Sequence, residues 1–248
     1  MNIHRPLISA LRRRRQAIRL REIYHRFHDF TMAPEGLYVD TLLLAERVSA
    51  LPGCVIECGV WRGGMSAGLA TILGPHRNYF LFDSFEGLPQ AREIDGEAAL
   101  RWQSQTDAPD YWDNCSAPED FAHRAMTLAS ARSFTLVKGW FDTTLPTFSP
   151  PEPIAFLRLD GDWYDSTIVC LQSLFDRVTP GGIIILDDYH LWDGCSRALH
   201  DFLSRTAAVE RVREFNGICF LQKREDVAAV APERAGSRES EGIKLAPR

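Results

Sequence analysis

Five short apolar runs, set apart by turn signals and helix-like stretches, constrain this chain more than any other feature. They are Val55-Ile56-Glu57-Cys58, Tyr79-Phe80-Leu81-Phe82, Phe134-Thr135-Leu136-Val137, Ile154-Ala155-Phe156-Leu157-Arg158-Leu159 and Ile183-Ile184-Ile185-Leu186. Most are continuously apolar rather than alternating, the pattern of strands covered on both faces. Helical spacing runs between them over 66–73, 117–131, 166–177 and 195–205, and an amphipathic stretch over 39–50 precedes the first strand. Strand and helix alternating in this way predict an α/β fold built on a doubly wound parallel sheet. At the end, the runs 209–215 and 218–223 flank Asn216-Gly217, a two-residue hairpin signal, so the last strand is expected to be antiparallel.

A chain of 248 residues suits one large domain with short extensions. The expected division is a basic arm with helices over 1–50, the α/β domain over 51–223 and a polar, disordered tail over 224–248. Segment 86–118 is long for a connection and carries Trp102, Tyr111 and Trp112, so it is either a lid over a ligand or a surface excursion pinned by its aromatics. The six cysteines are scattered, and Cys54 and Cys58 are too widely spaced for a CxxC pair, pointing to a reduced, cytoplasmic protein without structural zinc. No apolar run approaches the roughly 18–20 residues that span a bilayer, and Arg12 to Arg15 interrupt any signal-peptide core. Eight arginines against Glu22 give the first 28 residues +7, and the chain total of −5 leaves −12 for the rest. Such an arm could touch an anionic membrane or stand as a solvated, partner-facing helix, and it also resembles a transit peptide. An acidic body argues against a nucleic-acid enzyme.

Two constellations carry chemistry. Glu57-Cys58-Gly59-Val60-Trp61-Arg62-Gly63-Gly64 follows the first strand and leads into a helix, where glycines allow a sharp turn and close approach to a ligand. Asp83, at the end of the second strand, is placed to accept hydrogen bonds from ribose hydroxyls. Both dinucleotides and S-adenosylmethionine (SAM) carry that ribose, but a carboxylate at Glu57 suits a cationic amino-acid moiety better than a pyrophosphate. A parallel sheet closed by an antiparallel hairpin, in the order 3-2-1-4-5-7-6, is likewise the Rossmann-like layout of class I SAM-dependent methyltransferases. The second constellation is Asp160 and Asp162 after the fourth strand with Asp187 and Asp188 after the fifth. Four acids at adjacent carboxyl edges repel one another, and a divalent cation resolves that; oxygen-only ligands favour Mg²⁺, Mn²⁺ or Ca²⁺. Asp160 and Asp162 can share a strand face, whereas Asp187 and Asp188 converge only if the strand has ended. With the sheet order above, Glu57, Asp83, Asp160 and Asp187 border one crevice.

The blocks ECGVWRGG (57–64), LFDSFEGLP (81–89), KGWFDTTLP (138–146), LRLDGDWYDST (157–167) and LDDYHLWDGC (186–195) closely resemble the macrocin O-methyltransferase family. The resemblance runs from about 30 to 223. It implies a metal- and SAM-dependent enzyme that methylates sugar hydroxyls in antibiotic biosynthesis. On that resemblance Asp160, Asp187 and Asp188 are the Mg²⁺ ligands and Asp162 is the general base. Glu57, Gly59, Gly63, Gly64, Ser66, Asp83 and Ser84 line up with the SAM-binding turns, beside Asp160, and Thr31-Met32 is similar to a segment folding over the cofactor.

The expected reaction has two neighbouring hydroxyls of a sugar or catechol-like acceptor at the metal, with Asp162 taking the proton. His190 is a second base, a substrate contact or a packing residue, and Trp163, Tyr164 and Trp192 either stack on a sugar or pack in the core. Two other readings fit parts of the pattern. An NAD-dependent oxidoreductase explains Gly59, Gly63 and Asp83 but leaves the acids and the hairpin without purpose. A non-catalytic SAM-fold protein, anchored to a partner through its basic arm, has no need of mutually repelling carboxylates. Whether the chain forms a homo-oligomer is left open by the sequence.

Overall fold

The computed structural model describes residues 4–109 and 111–224. Two helices open the chain, α1 (His4–Phe27) and α2 (Glu35–Glu46). Strand and helix then alternate: β1 (Cys54–Cys58), α3 (Gly64–Leu73), β2 (Asn78–Asp83), α4 (Glu97–Ser104), α5 (Glu119–Leu128), β3 (Ser133–Lys138), the short α6 (Phe141–Thr144), β4 (Ile154–Leu159), α7 (Tyr164–Leu174), β5 (Val178–Leu186) and α8 (Asp193–Thr206). The hairpin β6 (Arg213–Phe215) and β7 (Ile218–Gln222) ends the described fold, turning at Asn216-Gly217.

One seven-stranded sheet has the order β3-β2-β1-β4-β5-β7-β6, parallel except for β7, which runs antiparallel to both neighbours. This is the class I methyltransferase sheet that the sequence predicts. Strand alternation sorts the apolar residues into two cores. Val55, Tyr79, Leu81, Phe156, Ile183 and Ile185 face α1, α2, α3 and α5, whereas Ile56, Cys58, Leu157, Leu159, Ile184 and Leu186 face α4, α7 and α8. The sheet is therefore covered on both sides, as its continuous apolar runs require.

Segment 86–118 contains α4 and two single 3₁₀ turns, and it is fastened to the body. The Trp163 indole donates to the Pro89 carbonyl at 2.9 Å, and Asp95, 2% exposed, accepts the Tyr164 amide at 2.7 Å. The basic arm is not only a solvated helix. Leu20, Ile23 and Phe27 of α1 enter the core beside Tyr38 and Leu42, while Arg19 and Arg21 pair with Glu46 and Glu35. The polar tail expected over 224–248 lies outside the described residues from 225 on.

Phe27 is wholly buried, so Phe27→Ala should cost about 3–5 kcal/mol in denaturant unfolding; a loss below about 1 kcal/mol would show that α1 is not part of the core.

Candidate active site

The carboxyl edge of β1, β4 and β5 holds a buried charge cluster whose placement follows from register. Glu57 and Arg158 are direct partners across β1 and β4, and Arg158 is level with Ile185 on β5. The ladder continues one residue beyond the strands: the Asp160 amide donates to the Cys58 carbonyl at 2.8 Å and the Asp187 amide to the Leu159 carbonyl at 2.9 Å. Asp160 and Asp187 thus stand side by side, on the same face as Arg158. The Arg158 guanidinium pairs with Glu57 and Asp160 at 2.7 Å and with Asp187 at 2.8 Å. Glu57 takes a further bond from the Ser66 hydroxyl.

Arg158 corrects the reading that only a divalent ion makes these acids tolerable. A buried cation already bridges two of them, Asp160 and Asp187, to Glu57, with a side chain 3% exposed. It does not complete the compensation, because five carboxylates (Glu57, Asp160, Asp162, Asp187 and Asp188) surround one guanidinium. Burial holds Asp160 well above the ordinary carboxylate range, Arg158 pulls it down, and Asp187 pushes it up again. Asp188 is raised in the same way by burial and by Asp162 and Asp160. Among the described residues, Asp160, Asp187 and Asp188 each offer an oxygen within 4.8 Å of the others. Three hard oxygen donors with excess negative charge fit Mg²⁺ or a similar ion.

Asp162 reaches the cluster differently from the shared strand face expected of it. The strand ends at Leu159, and Asp162 sits in a turn at φ +57°. Its amide donates to Asp188 at 3.0 Å, and its carboxylate accepts the Trp192 indole N–H at 2.8 Å. Burial pushes its carboxyl up to about 7; the Trp192 bond lowers it and Asp187 raises it. Asp187 and Asp188 do lie just past the end of β5 at Leu186, where the chain turns.

Beside the acids opens a cavity of about 700 Å³, in the range of small-molecule sites. Thr31, Glu57, Gly59, Asp83, Ser84, Asp160, Asp162, Asp187 and Asp188 all line it. Gly59 is at φ +90°, and a Cβ there would lie 1.7 Å from the Asp160 carbonyl oxygen, so the β1 turn can lie this close to β4 only with glycine. Gly63, Gly64 and Ser66 stand behind the wall: Gly63 against Ala122, Gly64 against Phe30, and Ser66 on Glu57. Asp83 has a task the sequence reading lacks. It accepts the amides of Val60 at 2.7 Å, Trp61 at 2.8 Å and Phe85 at 2.7 Å, which takes three of its roughly four acceptor positions. It therefore shapes the β1–α3 turn while its carboxylate lines the cavity beside Ser84.

The aromatic residues resolve towards packing. Trp163 and Trp192 are 2% and 9% exposed and stack edge-on at 5.3 Å, with Trp102 of α4 against both. Tyr164 is buried and its hydroxyl donates to Asp201. His190 is exposed at the cavity rim, away from any helix cap. Besides Arg158, sequence reasoning misses Tyr38, whose buried hydroxyl donates to the Gly64 carbonyl at 2.8 Å and fixes the start of α3, and Asp95.

A family model described as macrocin O-methyltransferase (TylF) matches residues 39–223. The chain belongs to this family. It is a SAM-dependent O-methyltransferase. Over 187 residues it is 33% identical to the 8-demethyl-8-(2,3-dimethoxy-alpha-L-rhamnosyl)-tetracenomycin-C 4'-O-methyltransferase of Streptomyces olivaceus, covering 72% of this chain and 67% of the relative. Over 172 residues it is 32% identical to the mycinamicin III 3''-O-methyltransferase of Micromonospora griseorubida, covering 67% and 66%. A 33% match to the demethyldecarbamoylnovobiocin O-methyltransferase of Streptomyces niveus covers 62% of this chain and 60% of that relative. The chain thus spans about two thirds of the length of the curated relatives it matches, or less. The fold is shared with the solved O-methyltransferase NovP, at a TM-score of 0.63 and 24% identity, covering 75% of this chain and 81% of that one. It is also shared with the calicheamicin methyltransferase CalS11, at a TM-score of 0.57 and 21% identity, covering 81% and 91%. Among the described residues no helix is long and apolar enough to cross a membrane.

Removing Arg158 leaves Glu57 buried and unpaired. Arg158→Met should cost about 3–5 kcal/mol, and adding Glu57→Gln should recover part of it; an Arg158→Met protein as stable as its parent would contradict the pairing. A carboxyl raised on folding favours the folded state in acid and weighs against it as pH climbs from its unfolded to its folded value. In chelator, Asp162→Asn should therefore gain in melting temperature over the parent as pH rises from about 4 to about 7, and a gain that ignores pH would refute the raised value.

Proposed function

We propose that this O-methyltransferase methylates a hydroxyl of a sugar, with a neighbouring hydroxyl pair facing a divalent ion held by Asp160, Asp187 and Asp188. The observation that carries the proposal is the convergence of these three carboxylates beside Asp162, on the wall of the cavity. The sugar itself is taken from a relative, whose name specifies a rhamnosyl substrate and a 4'-O position.

Asp162 acts as the general base. Burial raises its carboxyl to about 7 before any cation is bound, and a divalent ion on the neighbouring acids would hold it ionised, ready to take the proton. Trp192 holds one of its oxygens, and packing against the buried Trp163 and the half-buried Trp102 keeps that indole from turning. Arg158 fixes Asp160 and Asp187 by one oxygen each. A bound Mg²⁺ would supply Lewis-acid lowering of the pKa of the reacting hydroxyl. SAM supplies the electrophilic methyl group.

The cofactor wall is formed by the β1–α3 turn, by Ser84 and by the segment around Thr31, which lies against the start of α3. Rate enhancement then rests chiefly on positioning and on exclusion of water. Segment 86–118 serves that exclusion as a lid, latched through Asp95 and Pro89 to the start of α7.

Asp162→Asn should lower kcat by about 10²–10⁴-fold while SAM and Mg²⁺ affinities stay near those of the parent, and EDTA should abolish turnover until Mg²⁺ is restored. Undiminished turnover in the variant would remove Asp162 as base, and insensitivity to EDTA would remove the metal.

A further inference from the structure

We infer that α1 is an interfacial helix, whose outward face docks this protein on an anionic lipid surface.

The helix has two faces, and only one of them serves the fold. Gln16, Leu20, Ile23 and Phe27 recur at helical spacing and form one stripe. Leu20, Ile23 and Phe27 are buried in the core, and Gln16 donates to Glu46 of α2. On the opposite side Arg14, Arg15, Ile18, Arg21, Glu22 and His25 are all exposed. Ile18 is 48% exposed, with Arg14 and Arg15 one turn before it and Arg21 and Glu22 one turn after. At the helical repeat the same stripe passes through positions 11 and 7, both leucine. The helix also holds Arg5, Arg12 and Arg13.

Charge is sorted along the chain in the same sense. The first 28 residues carry +7 and the remainder −12. Folding does not cancel the arm. Arg19 and Arg21 pair with Glu46 and Glu35, yet their side chains stay 56% and 63% exposed, and surface pairs of this kind hold their partners weakly.

An apolar stripe bordered by arginines, on the side of a helix that the core leaves open, suits a helix lying in a headgroup layer. There the guanidinium groups meet lipid phosphates while the aliphatic side chains enter the acyl boundary. The arginines alone would suit a nucleic acid equally well. The apolar stripe selects lipid, because a phosphodiester backbone gives isoleucine and leucine nothing to enter. The acidic body is repelled by the same surface, which confines contact to α1 and keeps it reversible.

Co-sedimentation of the full chain with vesicles tests this. Vesicles of equal parts phosphatidylcholine and phosphatidylglycerol should bind the protein, and pure phosphatidylcholine vesicles should bind it at least about tenfold more weakly. Binding should fall as salt rises from about 0.1 M to about 1 M, because the Debye length shrinks from about 10 Å to about 3 Å. The double variant Arg14→Ala/Arg15→Ala should lose about tenfold or more in affinity for the anionic vesicles, at about fivefold per arginine. Ile18→Gln should lose severalfold at every salt concentration, and both variants should keep the parent's melting temperature. No binding to anionic vesicles, equal binding to both kinds, or binding that ignores either variant overturns the inference. A single-stranded RNA oligonucleotide is the competing probe: tighter binding to it than to vesicles, unmoved by Ile18→Gln, makes nucleic acid the partner instead. Self-association without vesicles, abolished by the arginine variant, gives the arm to a second copy and likewise refutes lipid docking.

Discussion

The guanidinium of Arg158 sits within hydrogen-bond distance of Glu57, Asp160 and Asp187 in the middle of a parallel sheet covered on both faces. Taking a charge out of water costs several kcal/mol even after relaxation, so neither the arginine nor Glu57, which is 1% exposed, is tolerable without the other. Their pairing across β1 and β4 fixes the two strands that flank the crevice. It also draws Asp160 and Asp187 together just beyond the strand ends. The compensation is deliberately incomplete in its effect: one positive charge among five carboxylates leaves an excess that protons or a divalent ion must meet. The raised carboxyls of Asp160, Asp162 and Asp188 are the proton-filled side of that balance. A cation is the other side, and it would leave Asp162 free to accept a proton.

Around this pair the edge of the sheet is built from tight backbone contacts. Gly59 brings the β1 turn against the Asp160 carbonyl, and Asp83 gathers the amides of that turn. On the opposite side, Asp95 and Trp163 tie segment 86–118 to the start of α7. The same segment supplies Trp102, which packs on the indole that orients Asp162. The cover of the cavity and the aim of its base are thereby parts of one packed unit.

Much of this was legible in the sequence, for physical reasons. Buried parallel strands must be continuously apolar, so the five runs located the strands, and Asn216-Gly217 marked the antiparallel closure. Acids beyond β4 and β5 were visible because nothing in an ordinary turn requires four of them. Arg158 was harder to see, although it stands in plain view between Leu157 and Leu159. The signal was a single cation inside an otherwise apolar central strand, opposite the single acid of β1, and only the register makes them partners. Asp83, Gly63, Gly64 and Ser66 carried a pattern shared by ligand contact and by turn building; in the structure Asp83 accepts amides of the β1–α3 turn and Ser66 donates to Glu57. The tryptophans were ambiguous for a similar reason, since a large ring near a site serves stacking or packing equally well until its neighbours are known.

The most direct measurement is the anomalous scattering of Mn²⁺ soaked into crystals of the protein, since Mn²⁺ takes the same oxygen ligands as Mg²⁺. The account predicts one strong peak about 2.0–2.3 Å from oxygens of Asp160, Asp187 and Asp188, with Arg158 still bridging Glu57, Asp160 and Asp187. A peak elsewhere, or ordered carboxylates turned apart around no ion at saturating Mn²⁺, would contradict it.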